Sequence, residues 1–163
     1  MNWQQISKDD ALQDLPYQIE LNQWGQIILT PMGIKHGAYQ FQIGQLLALL
    51  INQGQCVMNC ALKTRLGTKI IDIAWFSPQR WQRVQDEIQC SQPPEIGVKI
   101  VAIDEMETVV QLKKQLYLEA GVEEVWVCDN RGQMSFHTLK GECSHSLLVY
   151  NFPQTVTLMP APT

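Results

Sequence analysis

The stretch from Glu95 to Asp129 leaves this chain little freedom. EIGVKIVAI (95–103) is apolar at nearly every position, as a strand buried on both faces must be. TVVQLKKQLYLEAG (108–121) then places apolar residues at helical spacing, with Gly121 closing its C-terminal end, and EEVWVCD (123–129) is again a strand. Strand, helix and strand in direct succession form a crossover, which predicts a sheet with helices packed on it. One residue stands out in that frame. Lys99 is the only cation of its strand, and an ammonium group spent there has to be matched by something the rest of the chain brings to it.

The remaining segments fit around that unit. Ser7 is a plausible N-cap for a short helix over roughly 7–15, ended near Pro16. YQIELN and QIILTP flank Gln23-Trp24-Gly25 and predict a β-hairpin. The long apolar periodicity of GIKHGAYQFQIGQLLALLINQG predicts a helix over 34–53. CVMNCALKTRL and KIIDIAWFS read as strands joined around Gly67, and Pro78 to about Ile88 as a surface helix or turn. QMSFHTL and SLLVY complete the strands, with a tight turn at Asn130-Arg131-Gly132. The expected architecture is one α/β domain spanning 1–163, a mixed central β-sheet flanked by α-helices.

Composition narrows the functional classes. At 163 residues, 45% hydrophobic and 17% charged, the chain supports one ordinary core. No window approaches the roughly 18 apolar residues of a membrane span, and the N-terminal stretch lacks a signal-peptide pattern, so no membrane association and a cytoplasmic location are expected. Five scattered cysteines without a CxxC pair suggest neither a disulfide framework nor a zinc site. A net charge of −4 argues against a broad basic surface that coats nucleic acid, while leaving room for a local basic groove.

Five segments in order resemble a known family: LPYQIELNQWGQI, PMGIKHG, KIIDIAWFS, PPEIGVKIVA and KKQLYLEAGVEEVWVCD. Together they are similar to the Uma-type branch of bacterial endonucleases within the PD-(D/E)XK restriction-endonuclease-like superfamily. The resemblance places Glu20, His36, Asp72 and Lys113 on matched site positions, with Asp72 and Glu20 as metal ligands. It implies Mg²⁺ or Mn²⁺ as cofactor, DNA as partner and, because such enzymes cut both strands, a homodimer, for which five tryptophans offer an apolar contact patch. Such an ion polarises a phosphodiester and lowers the pKa of the attacking water, and a nearby lysine steadies the developing charge.

The departure is at the family's second metal-binding carboxylate, where this chain has Lys99. Glu95 is no substitute, because four residues of strand put it roughly 13 Å away, and Gly97 occupies the superfamily's alternative position. Two readings follow: a metal-dependent endonuclease with a degenerate site, Lys99 serving as a built-in counterion to Asp72 with Glu20 as a second partner, or a non-catalytic descendant that binds nucleic acid or protein.

Overall fold

A strand with apolar side chains on both faces needs a layer on each side of it. In the computed structural model, which describes residues 1–159 and so leaves the last four residues of the expected domain outside the described residues, Gly67–Phe76 (β4) is such a strand, buried without interruption from Ile70. It lies inside a six-stranded sheet, antiparallel to Gln55–Thr64 (β3) on one side and to Ile96–Ile100 (β5) on the other. Glu124–Cys128 (β6) runs parallel to β5, and Met134–Thr138 (β7) and Gly141–Cys143 (β8) continue the sheet antiparallel. The sheet is therefore mixed, as expected.

One layer is Ile34–Leu50 (α2), whose Tyr39, Ile43 and Leu47 pack with Ile73, Val98, Ile100, Trp126 and Phe136. The opposite layer is Pro78–Val84 (α3) and Glu107–Glu119 (α4), whose Val84, Tyr117 and Leu118 cover Ile71, Ala74, Phe76 and Val125. Each fully buried aliphatic side chain contributes about 1.5–3 kcal/mol, so these two seams are the main favourable term. The α4 crossover joins β5 to β6, and Gly121 ends α4 at φ 109, where the Val122 amide returns to the Tyr117 carbonyl. The hairpin of Tyr17–Leu21 (β1) and Ile27–Pro31 (β2) forms its own two-stranded sheet and lies against β4.

Two expectations fail. The first helix is Trp3–Ser7 (α1), not 7–15. Asn2 caps it, with the Asn2 and Gln5 side chains each accepting the other's backbone N–H, and Asp9 caps a separate 3₁₀ turn over Asp10–Leu12. SLLVY is not a strand. Its backbone is claimed by the buried Glu124 carboxylate, which accepts from the Leu147 and Leu148 amides at 2.5 and 3.3 Å and from the Ser146 hydroxyl at 2.7 Å. Donors already satisfied this way are not free for a sheet ladder. The tryptophans also scatter: Trp75 and Trp126 are buried, and only Trp24 is strongly exposed among the large apolar side chains of that type. Among the described residues, no helix is long and apolar enough to cross a membrane.

The Glu124 anchor makes a prediction. Glu124→Ala orphans the donors of Ser146, Leu147, Leu148 and the Trp126 indole and should lower the unfolding free energy by about 3 kcal/mol in urea titration. Glu124→Gln keeps an acceptor oxygen and should lose less.

Candidate active site

An ionised carboxylate inside a sheet survives only if protein donors replace its water. Asp72, on β4 and 1% exposed, has them on both oxygens. Oδ1 accepts from Gln18 Nε2 of β1 at 3.0 Å and lies 3.3 Å from His36 Nε2 of α2, and Oδ2 accepts the Ile100 amide of β5 at 2.7 Å. Burial pushes its pKa up, but the His36 hydrogen bond, the Lys99 charge and the Ile100 amide outweigh it and hold the carboxyl below the ordinary value of 3.8. The antiparallel register pairs Ile73 with Val98, so one step along places Asp72 opposite Lys99.

Glu20 sits two residues beyond Gln18 on β1 and is also 1% exposed. Its Oε2 accepts the Ile70 amide at 2.7 Å, which ties the hairpin to β4, and its Oε1 meets Lys113 Nζ of α4 at 3.0 Å. Lys113 faces inward because Tyr117, one turn later, is buried and donates to the Ile70 carbonyl at 3.0 Å. Burial alone would lower the Lys113 pKa, yet Glu20 and Glu105 raise it above its usual 10.5.

Lys99 is where the geometry departs from expectation. Its ammonium does not pair with Asp72 or Glu20. Nζ donates to the Ile100 carbonyl at 2.8 Å and to Glu105 Oε1 at 2.8 Å. The Ile100 amide already occupies the near side of Asp72, so the lysine turns toward the loop after β5. Glu105 also accepts the Ala102 amide at 3.0 Å and stands 3.7 Å from Lys113. Burial raises its pKa, but Lys99, the Ala102 amide and Lys113 bring it below 4.5. Glu105, like Gln18 and Lys69, is a participant that sequence reasoning missed. The available signal was Lys99 itself, since a buried ammonium requires an acid within side-chain reach, and Asp104 and Glu105 are the first acids after the strand.

The structure thus brings Glu20, His36, Asp72, Lys99 and Lys113 into one region, with Glu105 linking the two lysines. Glu95 is elsewhere, accepting the Ser77 amide at 3.0 Å at the start of α3 and lying 3.6 Å from Arg80. A cleft of about 580 Å³ opens onto Glu20, Lys69, Glu105 and Lys113, walled by Ile28, Ile103, Met106, Val109 and Leu112. Lys69 is half-buried at its edge, and burial lowers its pKa against the pull of Glu20.

As they stand, the donors do not make a ligand set for a divalent ion. Each oxygen of Asp72 and Glu20 already has a protein donor. Among the described residues, no group of three or more His, Cys, Asp or Glu side chains could hold an ion. What the arrangement offers is alternating charge, Glu20, Lys113 and Glu105 at the cleft and Lys99 buried against Glu105, with Asp72 held apart by neutral donors and His36.

Comparison with known proteins bears on this site. The family model Uma2, described as "Putative restriction endonuclease", matches residues 9–162. A crystal structure described as a "putative nuclease belonging to DUF820", from Anabaena variabilis ATCC 29413, superposes with a TM-score of 0.61 at 18% identity, over 88% of this chain and 81% of that one. No curated protein matches.

The ionisation states set a two-limbed pH dependence. Asp72 and Glu105 have depressed folded values, so their contribution is present above the ordinary 3.8 and 4.5 and is lost as pH falls through the folded values. Lys113 has a raised folded value, so its contribution is present below 10.5 and is lost as pH rises through the folded value. Urea titration should show stability falling on both limbs. Lys113→Met, which strands Glu20 in the interior, should cost about 3–5 kcal/mol at neutral pH.

Proposed function

The chain belongs to the Uma2 family of restriction-endonuclease-like proteins, and on that premise we propose that it keeps a nuclease fold and its carboxylate pocket while Lys99 disables metal-assisted phosphodiester cleavage. The observation that carries this reading is the Lys99–Glu105 contact of 2.8 Å. A ligand carboxylate is replaced by a cation that is itself neutralised internally, so the pocket is electrically satisfied without Mg²⁺ or Mn²⁺. Nucleic acid remains the class of partner that the family's fold suggests. Among the described residues, Lys69 at the edge of the cleft is the cation with no carboxylate contact of its own, its ammonium donating to the Leu21 carbonyl at 3.3 Å, and it is available to a phosphate.

The second reading, a cleaving enzyme, is favoured by the convergence of Glu20, Asp72 and Lys113. It requires Glu105 to leave Lys99 and serve an ion instead. A homodimer is the assembly suited to an enzyme that cuts a duplex on both strands, and light scattering at tens of micromolar tests it.

Calorimetric titration with Mn²⁺ or Mg²⁺ separates the two readings. The degenerate reading expects no stoichiometric binding by the parent chain and no nicking of supercoiled DNA. Lys99→Glu restores the carboxylate and crowds acids together, so this variant should melt lower than the parent in chelator and regain stability with Mn²⁺. A parent chain that is stabilised by Mn²⁺ as strongly as the variant would show that Lys99 does not block an ion, and the cleaving reading would stand.

A further inference from the structure

Away from the carboxylate pocket, two of the five cysteines meet across a loose edge of the sheet. Cys60 lies on β3, 8% exposed, and Cys90 lies in the 85–95 connection between α3 and β5, half-buried. The connection touches β3 through an isolated parallel bridge, Leu62 to Cys90, in which the Cys90 amide donates to the Ala61 carbonyl at 3.0 Å. Cys60 is two residues from Leu62 and so shares its face of the strand, the face at which Cys90 bridges. Both line a cleft of about 160 Å³ between β3 and α3, bordered by Asn59, Trp81 and Glu87, through which a small molecule reaches them.

We propose that Cys60 and Cys90 are a peroxide-responsive thiol pair that closes into a disulfide between β3 and the α3–β5 connection. The two sulfurs are not equivalent. The Cys60 hydrogen bond holds the Cys90 thiol below its ordinary pKa against the effect of burial, whereas the same bond and burial push Cys60 up. Burial likewise pushes Cys56 and Cys128 up, to about 11 and about 12. Thiolate character together with solvent access selects the attacking sulfur, so Cys90 reacts first and Cys60 resolves.

The chemistry balances with hydrogen peroxide as the oxidant. The Cys90 thiolate attacks a peroxide oxygen, an S–O bond forms, the O–O bond breaks, and the departing hydroxide takes a proton to become water. The Cys60 sulfur then attacks the sulfenic sulfur, an S–S bond forms, and the S–O bond breaks. The leaving hydroxide carries off the Cys60 proton as a second water. Two electrons pass from the thiols to the peroxide.

Diagonal positions across a bridge are roughly 7–8 Å apart, slightly more than a disulfide spans. Closure therefore slides the connection a little along β3, against the Leu62–Cys90 bridge and the Trp3–Ile88 and Gln89–Thr68 hydrogen bonds. The bond would tether the excursion that carries α3 and leads into β5, the strand of Lys99. It does not depend on whether the carboxylate pocket cleaves nucleic acid.

The test uses the reduced full chain treated with near-stoichiometric hydrogen peroxide. Thiols titrated after denaturation should fall from the five of the sequence to three, and dithiothreitol should restore them. Tryptic mapping in a Cys56→Ser background, needed because Cys56 and Cys60 share a peptide, should recover Cys60 joined to Cys90. Cys90→Ser should keep its remaining thiols, and Cys60→Ser, which keeps a hydroxyl donor beside the Cys90 sulfur but cannot resolve it, should accumulate a dimedone-reactive sulfenic acid at Cys90. Unchanged thiol counts, a cross-link to another cysteine, or no dimedone adduct at Cys90 in Cys60→Ser would each overturn the proposal.

Discussion

An ammonium group that is 3% exposed on a central strand needs a partner of opposite charge, and the Lys99–Glu105 pair is the contact on which the rest of the pocket depends. Glu105 passes the constraint on to Lys113, and Lys113 passes it to Glu20, which accepts the Ile70 amide. That sequence of charges connects the loop after β5, helix α4, the β1–β2 hairpin and strand β4. A hairpin that shares no ladder with the main sheet is thereby fastened to it through a buried carboxylate, with the Gln18 to Asp72 hydrogen bond as a second fastening. Breaking such a chain at one member leaves its neighbours charged and unpaired, which is why the links stabilise together although each ion was costly to bury.

The same charge pattern bears on chemistry. A site that recruits a divalent cation keeps surplus negative charge and uncommitted oxygens aimed at a common point. Here Asp72 and Glu20 have committed theirs to Gln18, His36, Ile100, Ile70 and Lys113. Lys99 and Lys113 supply positive charge beside Glu105 and Glu20. Membership of the Uma2 family accounts for the fold, and the pairing of Lys99 with Glu105 gives the pocket its charge balance.

Much of the pocket was legible because its residues break local patterns. An aspartate among isoleucines in KIIDIAWFS and a lysine among valines and isoleucines in EIGVKIVAI each violate the apolar run around them, and buried violations have to converge on one another. Glu105 violates nothing. An acid in a short loop ahead of a helix looks solvated, and only the direction taken by the Lys99 side chain turns it inward. The first helix was misplaced for a related reason. Asn2 and Ser7 are both competent caps, and the reciprocal Asn2 and Gln5 bonds that settle the choice are visible only in three dimensions. SLLVY has the composition of a strand, but its amides were taken by Glu124 from a distant part of the chain.

By itself, then, the sequence determined the crossover of β5, α4 and β6, the two-faced burial of β4 and the convergence of charged residues on the sheet, because hydrophobic period and the cost of burying a charge act locally and are written residue by residue. Only the tertiary structure decided which charges pair. Ion pairs depend on side-chain direction and on which backbone amides have already been claimed, and the Ile100 amide claims Asp72 before Lys99 can reach it. Competition of that kind exists only once the strands are side by side.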